Sequence, residues 1–352
     1  MGPILPSSAT PPAWSREHKR LHRHLLRHPD LLPMGATVLL AVSGGQDSMA
    51  LTALLRDLRR LHQWRLLLWH GDHGWRPESA DQAAELGAWA EAEGLMLLTQ
   101  RASPGEAEGE AAARRWRYAC LAACARQAGC SRVVTAHTAS DRAETVLLHL
   151  ARGSHRRGLG SLRHSRPLDG DQPPLTLVRP LLLFSRAETA AICQAWRIPV
   201  WPDPSNASRL LSRNRVRAEV LPVLEALHPG ASLRMSAQAE RLAEELDQEE
   251  ELLRLALAEL RMPEPEPGLR RRELSRLQRG NQRRLLRLWL ADTAALTLEA
   301  AVLEGLVDRL EPRRGAGVLA LTGGWRLCWD RSTLRLSHDP AGAAHARSRR
   351  RC

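Results

Sequence analysis

The stretch from residue 38 to 55, VLLAVSGGQDSMALTALL, limits the possible fold more than any other part of the chain. Val38 to Val42 is short, continuous and apolar, the pattern of a buried strand. After Ser48 the apolar residues Met49, Leu51, Ala53, Leu54, Leu55 and Leu58 return at helical spacing. Between the two lies Ser43-Gly44-Gly45-Gln46-Asp47-Ser48. Glycines let the backbone turn sharply and come close to a ligand. A loop that opens a helix aims free N–H groups and the positive dipole end at that ligand. An ordinary turn with Asp47 or Ser48 as helix cap needs one polar residue rather than this cluster. The stretch reads as a phosphate cradle.

The cradle lacks the lysine that the common GxxxxGKS/T loop uses to reach terminal phosphates. Lys19 is the only lysine in the chain. N–H groups and hydroxyls beside a carboxylate suit a pyrophosphate held with Mg2+. Asp47 is the candidate ligand, since Mg2+ usually takes one or two carboxylates plus phosphate oxygens. Such a site favours cleavage of ATP between its α- and β-phosphates. SGGQDS resembles the SGGxDS loop of the N-type ATP pyrophosphatases, which activate a carbonyl oxygen by adenylation. The resemblance implies that Ser43, Gly44, Gly45, Gln46, Asp47 and Ser48 bind ATP.

The rest of the chain supplies a frame for that loop. Strands are expected at 38–42, 65–70, 95–100, 132–136 and 175–178, with helices at 49–61, 79–93, 109–128 and 140–152. Ser79 with Gln82 and Ser185 with Glu188 fit capping boxes. Alternating strands and helices argue for an α/β fold with a doubly wound, mostly parallel sheet. Ligands bind such sheets at the carboxyl ends of the strands. A Pro/Ser-rich tail over 1–14 is expected to be disordered, and a basic helix over 15–28 opens a catalytic domain over 15–228. A connector over 229–263 carries a long helix at 231–260. The proline-rich run 262–268 leads into a small α+β domain over 264–338. Helices are expected there near 271–278, 281–290 and 298–310, and strands at 317–321, 325–329 and 334–337. Gly323-Gly324 suits a type I′ or II′ hairpin turn. A tail over 339–352 is again expected to be disordered.

The formal net charge is +12, and nearly all of the positive charge is arginine. Such a balance points to a polyanionic partner, and arginine grips phosphate through a planar fork. The six cysteines form no C-x-x-C pair, which suits a reduced compartment. The N-terminus lacks the basic start and apolar core of a secretory signal. No apolar run approaches membrane-spanning length. A cytoplasmic location without membrane contact is expected.

Four further segments carry chemistry, and each has two readings. In HGDHGWRPES, residues 70–79, Asp72 and His73 either face a nucleotide from the end of the second strand or form a polar turn. In GEAAARRWRYACLAACA, residues 109–125, Arg114 either contacts phosphate or pairs with Glu110 on the surface. In TAHTASDRAETVLLHLARGS, residues 135–154, His137 sits just past the fourth strand. Asp141 and Glu144 there either complement a helix dipole or hold a cationic substrate. In WPDPSNASRLLSRNRVRAEVLPVLEAL, residues 201–227, the density of Asp203, Asn206, Arg213, Asn214, Arg215 and Arg217 suits phosphate binding better than a solvated loop.

Taken in order, these segments resemble the tRNA(Ile)-lysidine synthetase family. Its pattern runs SGGxDS, HVDHGLRxxS, EAAAR, AHHxDDQxET and DPSNxxxxxxRNRxR; this chain has SGGQDS, HGDHGWRPES, EAAAR, AHTASDRAET and DPSNASRLLSRNRVR. The resemblance implies an adenine nucleotide alpha hydrolase-like fold and a ligase using ATP and Mg2+. ATP adenylates the C2 carbonyl oxygen of the first anticodon cytidine in a tRNA(Ile) with a CAU anticodon, and free lysine then displaces AMP. It implies catalytic roles for Asp47, Asp72, His73, Arg114, Asp141 and Glu144, with Arg114 on phosphate charge and the last two on an ammonium of lysine. Substrate contacts fall to His137, Asp203, Arg213, Asn214 and Arg215. A homodimer is left open. Thr138, Ser140 and Arg142 stand where the family has His, Asp and Gln, and Gly71 and Trp75 replace Val and Leu. A tRNA thiolase of the same superfamily would need cysteine pairs that are missing here. A non-catalytic RNA-binding relative is a third reading, which the altered segment 138–142 permits. Arg270, Arg271, Arg272, Arg276, Arg279, Arg283, Arg284 and Arg287 are expected to form a basic, tRNA-selecting surface on the C-terminal domain.

Overall fold

The computed structural model describes residues 14–74, 78–170, 174–201, 211–263, 268–311 and 313–338. They fall into two compact units that divide between Ala243 and Glu244.

The first unit is built on six strands: β1 (Thr37–Ala41), β2 (Arg65–Asp72), β3 (Met96–Arg101), β4 (Arg132–Val134), β5 (Ser165–Pro167) and β6 (Thr176–Val178). They line up as β3-β2-β1-β4-β6-β5, all parallel except β5, which runs antiparallel to β6. The helices are α1 (Arg16–Arg27), α2 (Gln46–His62), α3 (Ser79–Ala92), α4 (Gly109–Gln127), α5 (Ala139–Ala151), α6 (Arg156–Leu159), α7 (Arg186–Ala195), α8 (Ser212–Arg215), α9 (Leu221–Leu227) and the start of α10 (Ala231–Leu260). Val38 and Leu40 of β1 enter one core with Leu21, Leu25, Leu51, Leu54 and Leu55. Leu39 enters the other with Trp69, Trp116, Leu121, Val133 and Leu177. A strand whose alternate side chains are all buried must be apolar throughout, as 38–42 is. The strand order reverses between β1 and β4, which makes the crevice above their carboxyl ends the natural ligand site.

One local expectation at a helix start changes. Glu78, with φ −77° and ψ −4°, takes the N-cap position of α3 without a side-chain cap bond, so Ser79 is already helical and no capping box starts there. Ser185 and Glu188 do form one at α7. Gly71 has a packing reason. A Cβ there would stand 2.9 Å from Cζ3 of Trp69 and 3.0 Å from Cζ3 of Trp116, so glycine makes room for the two indoles. Trp75 lies outside the described residues.

The second unit packs the rest of α10 with α11 (Arg271–Ser275), α12 (Arg279–Ala294) and α13 (Ala300–Arg309) against an antiparallel sheet. That sheet has β7 (Gly268–Arg270), β8 (Gly317–Ala320), β9 (Trp325–Trp329) and β10 (Thr333–His338) in the order β7-β10-β9-β8. β7 falls at the end of the expected proline-rich run. Gly268 allows it, since a Cβ there would stand 2.8 Å from the Leu334 carbonyl oxygen. Gly323 and Gly324 take φ of +68° and +80° between β8 and β9, the positive pair that a type I′ turn requires.

The expected basic surface of this unit is largely neutralised. Arg271 is buried, and its guanidinium donates to the carbonyls of Leu310 (3.1 Å), Glu311 (2.8 Å), Arg314 (2.8 Å), Arg309, Gly315 and Asp330. It ties α13's end to the β-hairpin and cannot meet RNA. Arg279 pairs with Glu304 and Asp308, Arg283 with Glu304, Arg284 with Glu249 and Arg270 with Glu259. Arg272, Arg276 and Arg287 are exposed and have no acidic partner among the described residues.

Candidate active site

The loop 43–48 leaves β1 and enters α2 at the reversal of strand order. Gly44 takes φ +81°, which favours glycine. Gly45 is the N-cap of α2 and offers no side chain to it. The first amides of α2 are therefore not capped by Asp47 or Ser48. Ser48 instead braces the loop: its Oγ donates to the Gly45 carbonyl at 2.8 Å and accepts from the Ser43 amide at 3.2 Å. The Ser43 hydroxyl accepts from the Gly45 amide at 3.3 Å.

Gln46 and Asp47 turn toward α7. Gln46 Nε2 donates to the Arg186 carbonyl at 2.8 Å, and Asp47 accepts from Thr189 Oγ1 at 2.5 Å and from Arg186 Nη1 at 2.9 Å. Burial pushes the Asp47 carboxyl above its ordinary range, while Arg186 and Thr189 pull the other way and Asp141 adds to the rise. Each carboxylate oxygen has a second lone pair, so Asp47 retains capacity for a cation. A single carboxylate beside a phosphate cradle fits Mg2+ chemistry. From the other side Trp201 covers the loop. Its amide donates to the Gly44 carbonyl at 3.0 Å, its ring lies 3.5 Å from where a Gly44 Cβ would be, and its indole N–H donates to Glu85 at 2.7 Å.

Asp72 and His73 follow β2 at the same sheet edge. Asp72 is buried and accepts from the Gly74 amide at 2.8 Å, with Arg101 Nε 3.4 Å away. His73 packs edge-on to Trp116 and meets Arg117 at 2.9 Å. Asp72 thus shapes its own turn, while His70 Nδ1 meets the Val42 carbonyl oxygen at 2.8 Å and joins the ends of β1 and β2.

Beyond β4, Thr138 caps α5 with Asp141 in a capping box. Asp141 Oδ2 accepts from the Thr138 amide at 2.8 Å and hydroxyl at 2.9 Å, while Oδ1 accepts from Arg213 at 3.0 Å and Arg217 at 3.2 Å. Glu144, fully buried, accepts from Arg213 Nε at 2.7 Å and from Arg217 Nε and Nη2 at 2.7 and 3.0 Å. Burial works to raise the Asp141 carboxyl, but His137, Arg213, the Thr138 amide and Arg217 outweigh it and hold it below its ordinary range. His137 bonds with Thr135 Oγ1 at 2.9 Å. Burial drives its ring down to about 3, against the pull of Asp141 and with help from Arg179, Arg213 and Arg114. It is a neutral imidazole at pH 7.

The departures from the family pattern now have physical places. Thr138 is the helix cap. Ser140 Oγ accepts from the Arg186 amide at 3.1 Å and helps seat α7. Arg142 is buried, pairs with Glu240 and donates to the Leu162 carbonyl at 2.9 Å and that of Ser236 at 3.2 Å. It anchors the start of α10 within this unit.

The structure therefore brings Asp47, His137, Asp141, Glu144 and Arg213 to one crevice. Arg114 is exposed and lies 5.0 Å over the Tyr118 ring; Glu110 makes no ion pair with it. Arg215 is spent on Glu219, four residues on, at 3.0 Å. Asn214 lies on α8, and Asp203 lies outside the described residues. The sequence reading assigned no site role to Arg186, Thr189, Trp201, Tyr118 or Arg179. The capping box that starts α7 could have flagged Arg186 and Thr189, since residues three apart share a helix face.

Residues 17–224 match the model of the PP-loop domain family of ATP-binding proteins. Over 331 residues the chain is 52% identical to the tRNA(Ile)-lysidine synthase of Parasynechococcus marenigrum, covering 94% of this chain and 97% of that protein. It is 39% identical to that of Prochlorococcus marinus strain SARG, covering 92% and 96%. The chain belongs to the tRNA(Ile)-lysidine synthase family. That family is one of ligases. In this lysidine synthase relative the SGGQDS loop, Asp141, Glu144 and Arg213 lie together in the crevice. The fold is also that of a U34-tRNA thiolase, NcsA, from Methanococcus maripaludis, with a TM-score of 0.54, 19% identity and coverage of 65% of this chain and 78% of that one. Among the described residues no helix is long and apolar enough to cross a membrane.

Proposed function

We propose that the protein ligates lysine to C2 of the cytidine at the first anticodon position of a CAU-bearing tRNA(Ile), through an adenylated tRNA and with release of pyrophosphate and AMP. The observation that carries this reading is the SGGQDS loop at the strand-order reversal, one strand over from a buried acid pair beyond β4, in a chain 52% identical to a named synthase.

In the first step the cytidine O2 attacks the α-phosphorus, the bond to the β-phosphate breaks, and pyrophosphate leaves. The loop's amides and the Ser43 hydroxyl receive the leaving phosphates, and oriented N–H donors stabilise the developing charge. Asp47 would hold Mg2+, which when bound supplies charge neutralisation at the phosphates. Arg114, without an acid to satisfy, is available to the phosphates of the RNA. His137, being neutral, offers hydrogen bonds to a base or ribose rather than a cation. Asp72 and His73 shape the nucleotide edge. In the second step the neutral amine of lysine attacks C2, the C2–O bond breaks, AMP leaves with the electron pair, and the nitrogen loses a proton.

Asp141 and Glu144 are the acids for an ammonium of lysine. The guanidiniums of Arg213 and Arg217 sit on the same oxygens, so lysine enters by taking over part of what those arginines hold. Arg272, Arg276 and Arg287 remain as the phosphate contacts of the C-terminal unit. A single-turnover assay tests the order of steps. Labelled adenylate should accumulate on tRNA(Ile) when lysine is left out and be chased to AMP when it is added. AMP release that needs lysine but no tRNA would refute the proposal.

A further inference from the structure

Tyr118 is the only tyrosine in the chain, and arginines from three different elements surround it. Arg114, one turn earlier on α4, lies over its ring at 5.0 Å, and Arg166 of β5 lies over it at 5.2 Å. Arg179, the first residue after β6, is only 2% exposed and stands close enough for its charge to act on the phenol. Arg179 Nη1 donates to the Arg163 carbonyl at 2.7 Å, while its buried Nε has no hydrogen-bond partner. None of the three forms an ion pair with a carboxylate among the described residues. A buried guanidinium without an acid is costly, yet three guanidiniums converge here.

The topology places this cluster at the working edge of the sheet. Arg179 leaves the carboxyl end of β6. Arg166 pairs with Leu177 in the antiparallel β5, one residue from that edge. Arg114 is in the second turn of α4, whose start follows the carboxyl end of β3. His137 feels both Arg114 and Arg179. Strands lie about 4.8 Å apart, so β6 and β5 stand roughly 10 to 14 Å from β1 and its phosphate loop. The cluster thus sits to the side of a triphosphate seated on loop 43–48, in the direction from which a polymer would reach His137.

We propose that Tyr118, Arg166 and Arg179, together with Arg114, form a phosphate subsite for the RNA substrate, gripping a phosphodiester beside the nucleotide being modified. Guanidinium forks match phosphate oxygens bidentately, and the phenol adds a donor. The subsite rests on the reading of RNA as substrate given above. Burial pushes the Tyr118 hydroxyl up, but Arg114, Arg179 and Arg166 outweigh it and bring the group below its ordinary range. An anion that engages those arginines would weaken their pull and raise it.

The single tyrosine makes a clean probe. The full chain labelled with 3-fluorotyrosine gives one fluorine resonance, followed by NMR as three ligands are added: an anticodon stem-loop RNA of tRNA(Ile), ATP with Mg2+, and inorganic pyrophosphate. The stem-loop should shift the resonance saturably and raise its titration midpoint, and ATP and pyrophosphate should not. Arg166→Gln should weaken stem-loop binding by about tenfold, the worth of one charge-assisted bond. It should also lower the salt slope of binding by about 0.7 to 1. An unmoved resonance with RNA demonstrably bound, a shift caused by ATP or pyrophosphate instead, or wild-type affinity and slope in Arg166→Gln would each overturn the subsite. Lysine-dependent AMP release measured on the same samples separates the two ideas. Its absence alongside an RNA-induced shift would sink the reaction and leave the subsite standing.

Discussion

Glu144→Gln separates two roles that the same carboxylate could play. Asp141 is a poor target, because one of its oxygens completes the cap of α5. Glu144 has no part in a cap; it accepts three guanidinium bonds at 2.7, 2.7 and 3.0 Å and is fully buried. Glutamine keeps the size, retains one acceptor oxygen and turns an amide toward guanidinium N–H groups. Breaking a buried ion pair costs about 3–5 kcal/mol. Arg213 and Arg217 are 33% and 21% exposed, so water recovers part of that, and about 2 kcal/mol is expected. For a unit of this size that lowers Tm by about 4–8 °C. Adding Arg213→Gln removes one of the two guanidiniums that Asp141 alone is then left to pair and should restore about 1 kcal/mol. Lysine recognition should not follow the same course. KM for lysine should rise by about tenfold, or about 1.4 kcal/mol, in both the single and the double variant, while adenylation of tRNA persists. Calorimetry and lysine-dependent AMP release read the two quantities. If the double variant regains wild-type KM, or the single variant loses stability with KM unchanged, Glu144 is a structural clamp and not a lysine contact.

Gly71→Val, which restores the family residue, should cost about 1–3 kcal/mol, because its Cβ would crowd Trp69 and Trp116; Trp69→Leu in the same chain should recover much of the loss in thermal unfolding. Arg271→Met should cost about 3 kcal/mol or more and release the amides of 309–315 to hydrogen exchange, since it strips the donors from six carbonyls. His24 and His164, with ring centroids 4.6 Å apart, are both driven by burial to about 3, against about 6.5 when unfolded. Glu240 lies 3.4 Å from His164 but is already claimed by Arg142. With the folded value below the unfolded one, stability is full above about pH 6.5 and falls by about 1.4 kcal/mol per unit per group as the pH drops toward 3. His137, also driven to about 3, adds its share, so urea unfolding between pH 7 and 5 should show the slope of all three, and His164→Gln should remove about a third of it.

The parts of the fold that follow from local chemistry were legible in the sequence. Apolar 38–42 had to be buried on both faces, and the glycines and serines after it had to form a loop, because few other conformations suit them. The site was legible only where side chains act close to where they sit in the chain. Asp141 and Glu144 could be placed on one helix face by spacing alone. That their charges meet Arg213 and Arg217 depends on how a segment some seventy residues later packs, which no local pattern encodes. Arg271 shows the opposite failure. As one of three consecutive arginines it looked like a surface group, and only the tertiary fold supplies the six carbonyls that make burial tolerable. Thr138 and Arg142 stood out in the sequence only as departures from the family pattern; in the fold they serve a cap and an anchor.

The most direct measurement is nuclease digestion and mass spectrometry of a CAU-bearing tRNA(Ile) transcript incubated with the protein, ATP, Mg2+ and isotopically labelled lysine. The first anticodon cytidine should gain one lysine with loss of water, and one AMP and one pyrophosphate should form for each residue modified. An unmodified cytidine in a sample that binds the tRNA, or incorporation of sulfur rather than lysine at the anticodon, would contradict the proposed reaction.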